Sequence, residues 1–147
     1  MGLYLAGLPM GSETSTAAKP GLRVNRHLSG YVAGTDKIKK LEIIRNGKVI
    51  KTFTSETYWL DFTFDDLTPL EKVVVDAKDK KPPFVFYYIR ATQEDGHIAW
   101  GSPIWVDYVP VAPGAKAARR QQMKASKKPV VIEEEEEEDD FDDDYEE

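Results

Sequence analysis

The sequence predicts an all-β domain, a sandwich of about seven short antiparallel strands within residues 21–110. Short runs of β-branched and aromatic residues recur there, separated by Gly, Pro, Asn and Asp. Asn46-Gly47 and Asp95-Gly96 each stand between two such runs, as expected for hairpin turns. No eleven-residue window shows the 3.6-residue period of an amphipathic helix. Regular short strands with turns between them favour an immunoglobulin-like topology.

The elements follow in order along the chain. The first predicted strand covers residues 22–32, with Gly30 as a bulge or bend. A hairpin of residues 41–45 and 49–53 then turns at Asn46-Gly47, where positive φ is needed at both positions. The remaining predicted strands cover residues 58–64, 73–77, 84–92 and 97–106. Ser102-Pro103 is expected to kink the last strand and to leave one tryptophan on each side of the sheet.

The core must form without a disulfide, because the chain has no cysteine. The strand period of two places Tyr87 and Ile89 on one face, and Tyr88 and Arg90 on the other. We expect the core to consist of aliphatic residues together with Trp59, Tyr87, Ile89, Trp100 and Trp105.

The net charge of −6 is unevenly distributed along the 147 residues. Residues 1–110 carry fourteen bases and thirteen acids, residues 111–132 six bases and no acid, and residues 133–147 thirteen acids and no base. The sequence therefore predicts a nearly neutral sandwich at 21–110, a basic linker at 111–132 and a disordered acidic tail at 133–147.

Several classes of function find no support in the residues. The chain has two histidines, His27 and His97, and no cysteine. The two histidines do not fit the spacing of a metal-binding motif, and both are expected to be exposed. Asp61 and Asp65 share one strand face, a possible acid–base pair, but Phe62 and Phe64 alternate with them, which indicates a solvated side. Asp66 is expected in the following turn.

Binding to phosphate, nucleic acid or membrane is weakly supported too. No glycine spacing fits a phosphate loop. The lysines of the first hairpin, with Arg23, Arg26 and the linker, could form a basic patch, but the acidic tail would compete with nucleic acid for it. No apolar run approaches the roughly 20 residues of a membrane-spanning helix. The sequence does not identify the compartment. A cytoplasmic location is the default expectation, since no signal peptide is found, and a longer parent protein could be exported.

Residues 86–106 read FYYIRATQEDGHIAWGSPIWV, which resembles the closing hairpin of a bacterial family of uncharacterised proteins. These proteins have a PHP-like, metal-dependent hydrolase domain related to the CehA/McbA-type metallohydrolases. Gly101 stands where the family usually has serine. Residues 25–30, 34–35 and 43–47 resemble the family's first strands, and residues 7–12 resemble the stretch that joins the large domain to this one.

The resemblance implies that this chain is a non-catalytic C-terminal accessory domain, whose metal ligands lie in an upstream domain that the chain lacks. It also implies that residues 1–20 are a connector that would join that absent upstream domain. It implies no catalytic, cofactor or metal residue here, and a partner that is the PHP-like catalytic domain, in the same chain or from a split gene. Read as a detached fragment, the chain would leave Leu3, Leu5 and Leu8 exposed.

The aromatic residues distinguish three hypotheses about function. An accessory domain would use Tyr87, Tyr88, Trp100 and Trp105 as core or docking residues, buried or in one apolar patch near the N-terminus. A stand-alone module that binds a carbohydrate or a peptide would expose at least two of five aromatics on one surface, namely Tyr58, Trp59, Tyr88, Trp100 and Trp105. An enzyme would hydrolyse a substrate with added Mn²⁺ or Zn²⁺.

Overall fold

The computed structural model describes residues 1–79 and 81–112, and Met1–Val111 form one compact unit. The strands in this part of the chain are β1 (Gly2–Leu5), β2 (Leu8–Pro9), β3 (Glu13–Ser15), β4 (Arg26–Ala33), β5 (Ile38–Arg45), β6 (Lys48–Thr54), β7 (Trp59–Asp66), β8 (Phe84–Gln93), β9 (Ile98–Trp100) and β10 (Ile104–Asp107). Two 3-10 helices cover Pro20–Arg23 and Leu70–Lys72. The predicted linker and acidic tail lie outside the described residues from position 113 onward.

The strands form two sheets, and the predicted all-β sandwich is confirmed. One sheet has the order β2-β1-β4-β7, and the other has the order β3-β10-β8-β5-β6, with β9 also paired to β8. This is an immunoglobulin-like arrangement, in which the chain alternates between the sheets. The sandwich is not purely antiparallel, because β3 pairs with β10 in parallel.

The sandwich begins at the N-terminus and not at residue 21. Strand β1 pairs with β4 over four residues, and β3 pairs with β10 over three. Leu3 and Leu5 are 0% exposed in the core, so the expectation that they are exposed is wrong. Leu8 is half-buried. Residues 2–15 supply edge and inner strands of the sandwich, which a connector would not do.

Three other predicted elements differ from the structure. The predicted strand 22–32 starts inside a 3-10 helix, whose first turn is preset by Pro20, and the chain becomes a strand only at Arg26. Segment 73–77 is not a strand, since its pairing is the isolated bridge Val75–Phe84. Gly30 is not a bulge, because the pairing of β4 with β7 runs through it without a shift. An added Cβ at Gly30 would lie 2.1 Å from the Gly2 carbonyl oxygen, so the glycine permits close approach of β1.

Both predicted turns join neighbouring strands as hairpins. Asn46 and Gly47 have φ of 50° and 79°, the two positive values that a type I′ turn requires. The Asn46 side chain accepts a hydrogen bond from Phe86 N at 3.1 Å and donates one to Val73 O at 2.6 Å. This turn therefore also holds β8 and the segment after the second 3-10 helix.

The core lies between the sheets and is mainly aliphatic. Inward positions of β1, β4 and β7 supply Leu3, Leu5, Leu28, Val32 and Phe62. Inward positions of β5, β8 and β10 supply Ile38, Leu41, Ile43, Val85, Tyr87, Ile89, Ala91, Ile104 and Val106. Alternate residues of β8 are buried, which confirms the predicted placement of Tyr87 and Ile89 opposite Tyr88 and Arg90.

Candidate binding surface

The outward side of the six-stranded sheet carries a group of aromatic side chains that we name the outer aromatic face. Its members are Phe84, Phe86, Tyr88, Trp100 and Trp105. The Trp105 ring centroid lies 4.8 Å from that of Phe86 and 5.3 Å from that of Phe84. The rings of Phe86 and Tyr88 are nearly parallel, with centroids 6.3 Å apart. Such ring pairs are mutually stabilising and leave a continuous apolar surface toward solvent.

A bulge brings both tryptophans to this face. Trp100 pairs with Arg90, and Trp105 pairs with Phe86. Trp105 is thus five residues after Trp100, whereas their partners on β8 are only four residues apart. The extra residue lies within 101–103, between β9 and β10. The expected kink is therefore present, but the prediction of one tryptophan on each side of the sheet is wrong.

These positions also correct the expected core. Trp59 is 51% and Trp100 is 61% exposed, while Trp105 is half-buried on the outer face. Tyr87, one of the four aromatic residues proposed for the core or for docking, is 0% exposed and belongs to the core. It therefore cannot contact a docked partner. Tyr88, Trp100 and Trp105 share one open surface, which is the geometry that the binding-module hypothesis requires.

A charged cluster borders the outer aromatic face near Tyr88. Arg90 donates a hydrogen bond from Nε to Glu42 Oε2 at 2.8 Å, and Lys40 Nζ lies 3.3 Å from Glu42 Oε1. The Arg90 hydrogen bond, helped by Lys40, lowers the pKa of Glu42, although burial opposes this. The sheet thus carries a fixed ion cluster next to its aromatic side chains.

A cleft of about 480 Å³ adjoins the other end of the face. Phe84 and Trp105 form its aromatic floor, and Glu13 and Asp107 flank them on β3 and β10. The opposite wall is the loop before β8, represented by Asp76, Lys78, Lys81 and Pro82. The cleft therefore combines an apolar floor with charged sides, a common composition of ligand sites.

The hydroxyl group of Tyr87 belongs to a buried ionic network that sequence reasoning did not predict. Arg26 and Asp66 are directly opposite each other on β4 and β7, and Arg45 and Tyr87 are opposite each other on β5 and β8. Asp66 Oδ2 lies 3.1 Å from Arg26 Nη2 and 2.7 Å from Arg45 Nη1, and it accepts a 2.6 Å hydrogen bond from the Tyr87 hydroxyl. We name these four residues the buried quartet; it connects the two sheets.

The electrostatics of the buried quartet favour a carboxylate. Burial alone would raise the pKa of Asp66, but the hydrogen bonds from Tyr87 and Arg45 and the charge of Arg26 lower it to about 2. Burial and the bond to Asp66 raise the pKa of Tyr87. Arg26 is 0% and Asp66 3% exposed, so Arg26 belongs to no surface basic patch and Asp66 to no exposed turn.

A second aromatic pair lies on the outer side of the four-stranded sheet. Tyr31 and Trp59 stack with ring centroids 5.2 Å apart and an angle of 5°. Trp59 Nε1 donates a hydrogen bond to Asp61 at 2.7 Å. Asp61 is exposed, as predicted from its alternation with Phe62. This pair stands apart from the outer aromatic face because it belongs to the other sheet.

The histidines have carboxylate neighbours at the surface. His27 Nδ1 lies 2.8 Å from Asp65 Oδ1, with both side chains 49% exposed, and His97 Nδ1 lies 2.9 Å from Asp95 Oδ2. Within residues 1–79 and 81–112, no group of three or more His, Cys, Asp or Glu side chains is placed to hold a metal ion. The same residues include no helix with the length and apolar character needed to span a membrane.

Sequence reasoning missed two sets of residues for different reasons. Phe84 and Phe86 were detectable, because the period of two places them on one face with Tyr88. The pairing of Arg26 with Tyr87 had no local signal, since the two residues are 61 positions apart.

Comparisons with known proteins give long relatives of unassigned function. A 103-residue segment is 55% identical to an uncharacterised protein of Chlamydia pneumoniae and 52% identical to uncharacterised proteins of Chlamydia muridarum and Chlamydia trachomatis. The match covers 70% of this chain but 17% of each relative. No family model and no solved structure matches the chain. The chain is thus similar to one part of chlamydial proteins that are several times longer than the matched segment.

Proposed function

We propose that this chain is a non-catalytic accessory β-sandwich domain that docks onto a neighbouring domain through its outer aromatic face. The observation that carries the proposal is the continuous aromatic surface of Phe84, Phe86, Tyr88 and Trp105 on the outside of a rigid sheet. Aromatic side chains are enriched at the centres of protein interfaces, where they contribute much of the binding energy.

The length of the relatives supports a neighbouring domain as the occupant. In the Chlamydia pneumoniae protein the matched 103 residues are 17% of the length, so most of that protein is polypeptide outside the match. A sandwich within such a protein has other domains available for contact. The charged cluster of Arg90, Glu42 and Lys40 would form part of the polar rim of that interface.

The resemblance of residues 86–106 extends the proposal to the neighbour's chemistry. It implies a PHP-like, metal-dependent hydrolase domain, which would hold the divalent metal and perform the reaction. The sandwich would support or cover that domain and contribute no catalytic side chain. Hydrolysis by the purified chain with added Mn²⁺ or Zn²⁺ would contradict this part of the proposal.

The test uses the Chlamydia pneumoniae relative without its matched segment, immobilised, and this chain in solution. We expect binding, and we expect Phe86→Ala and Trp105→Ala to raise the Kd by about tenfold or more, as at interface hot spots. Trp59→Ala is the control, because it removes an exposed tryptophan from the other sheet. The absence of binding, or an equal effect of all three variants, would contradict docking through this face.

A stand-alone module that binds a carbohydrate or a peptide is a second candidate. It is favoured by the common surface of Tyr88, Trp100 and Trp105, of which Trp100 is 61% exposed. Exposed aromatic rings stack on sugars and on extended peptides. Quenching of tryptophan fluorescence by a soluble glycan, lost in Trp100→Phe and kept in Trp59→Phe, would favour this candidate over domain docking.

A further inference from the structure

The cleft beside the outer aromatic face is formed on one side by strands of the six-stranded sheet and on the other by the loop before β8. Phe84, Trp105 and Asp107 stand on β8 and β10, and Glu13 stands on β3. Pairing places Glu13 directly beside Trp105 and Asp107 directly beside Phe84. Since partners across a sheet point to the same side, two carboxylates and two aromatic rings share the floor.

The two floor carboxylates have no cation of their own within the described residues. None of the ion pairs there, each with N···O of 4.0 Å or less, includes Glu13 or Asp107. The rings beside them pack against one another at an angle: the plane of the Trp105 ring makes 53° with that of Phe84 and 35° with that of Phe86, and these contacts hold the indole in place. The floor thus presents an indole with two nearby carboxylates, that of Glu13 beside it on β3 and that of Asp107 two residues further along β10.

The geometry points to a guanidinium-binding site: the cleft takes an arginine side chain of the docked polypeptide, laid on Trp105 between Glu13 and Asp107. This inference rests on the proposed docking function and names the chemical group that the partner inserts. A guanidinium is planar and weakly hydrated, stacks on tryptophan and donates paired hydrogen bonds to carboxylates. Lysine could supply the charge but not the stacking plane.

The loop wall favours a peptide over a glycan as the source of that group. Asp76, Lys78 and Lys81 line this wall, so it is net positive where the floor is negative. A polypeptide segment can match both sides with an arginine and a neighbouring acidic residue. A neutral glycan carries no charge and could form an ion pair neither with the floor nor with the loop wall.

The test uses the full chain labelled with ¹⁵N and the indole N–H signals of its three tryptophans, assigned with Trp→Phe variants. N-acetyl-arginine amide is the probe, and N-acetyl-citrulline amide is the uncharged probe of nearly the same shape. We expect the arginine probe to shift the Trp105 signal, to leave the Trp59 signal in place, and to bind more weakly at high salt.

The variants separate charge from shape. Glu13→Gln combined with Asp107→Asn should weaken arginine binding by about tenfold, as expected for loss of charge-assisted hydrogen bonds. An unchanged Trp59 signal in this double variant shows that the fold is intact. Equal shifts with the citrulline probe, or no shift at Trp105, would overturn the inference.

The docking assay distinguishes the two proposals. If Phe86→Ala weakens binding to the truncated relative while the Glu13 and Asp107 double variant does not, docking stands and the arginine site is refuted. If both weaken binding and Trp59→Ala does not, both proposals are supported. If neither does, both are refuted.

Discussion

Replacing Asp66 with asparagine would remove the only negative charge of the buried quartet and keep the shape of the side chain. Asp66 Oδ2 is within 3.1 Å of Arg26 Nη2 and 2.7 Å of Arg45 Nη1. Arg26 is 0% exposed, so water cannot compensate its charge once the carboxylate is gone. The Arg26 guanidinium would keep its bonds to the carbonyl oxygens of Leu22 and Thr68.

The expected size of the effect follows from two considerations. The pKa of Asp66 is about 2 in the folded chain against an ordinary value of 3.8, so ionisation alone stabilises the fold by about 2 kcal/mol. Removing one partner of a buried ion pair usually costs ~3–5 kcal/mol, because an unpaired charge remains. We therefore expect Asp66→Asn to lower the free energy of unfolding by about 3 kcal/mol.

The assay is urea unfolding at pH 7, followed by circular dichroism and tryptophan fluorescence. Tyr87→Phe is a milder variant that removes the donor to Asp66 and the acceptor for Arg26 Nε, and should cost ~1–3 kcal/mol. Asp65→Asn is the matched control, because the Asp65 side chain is 49% exposed on the solvent side of the four-stranded sheet, and it should change stability little. A loss for Asp66→Asn below ~1 kcal/mol would refute the reasoning about the buried quartet.

Three further predictions follow from the structure. Because the pKa of Asp66 in the folded chain lies below its ordinary value of 3.8, its contribution to stability is present at neutral pH and is lost as the pH falls from 3.8 toward about 2. The stability difference between wild type and Asp66→Asn should therefore shrink by about 2 kcal/mol in acid titrations of unfolding. Gly30→Ala places a Cβ 2.1 Å from Gly2 O and 2.8 Å from Phe62 Cζ, so we expect a loss of ~3 kcal/mol or more, with faster amide exchange in β1; an unchanged midpoint of denaturation would contradict this. Leu3→Ala, at a position 0% exposed, should cost ~2–5 kcal/mol in the same assay, whereas an effect near zero would mean that β1 is not part of the core.

Much of the fold could be predicted because its signals are local. The Asn46-Gly47 hairpin follows from two positive φ values that few residue types adopt easily. The faces of β8 follow from strict alternation of side chains, which any strand obeys. Strand β1 was missed because four residues next to Gly7 offer too short a window for a period of two.

The candidate site was predicted only in part. Tyr88, Trp100 and Trp105 were named as candidates from the sequence, but their common face depends on one extra residue between β9 and β10. Counting along the sequence puts Trp100 and Trp105 on opposite sides, since five is odd. The bulge reverses that result, and the sequence around Pro103 indicates a break without specifying its register.

By itself the sequence determined that the chain is an all-β sandwich, where its hairpins turn and which side of β8 faces the interior. These properties arise from sterics and alternation within a few neighbouring residues. Only the tertiary structure decided that Arg26 and Asp66 are buried together, and that Glu13 stands beside Trp105. Those arrangements bring together residues 40 and more than 90 positions apart, and their energies depend on burial and charge that exist only once the sheets have paired.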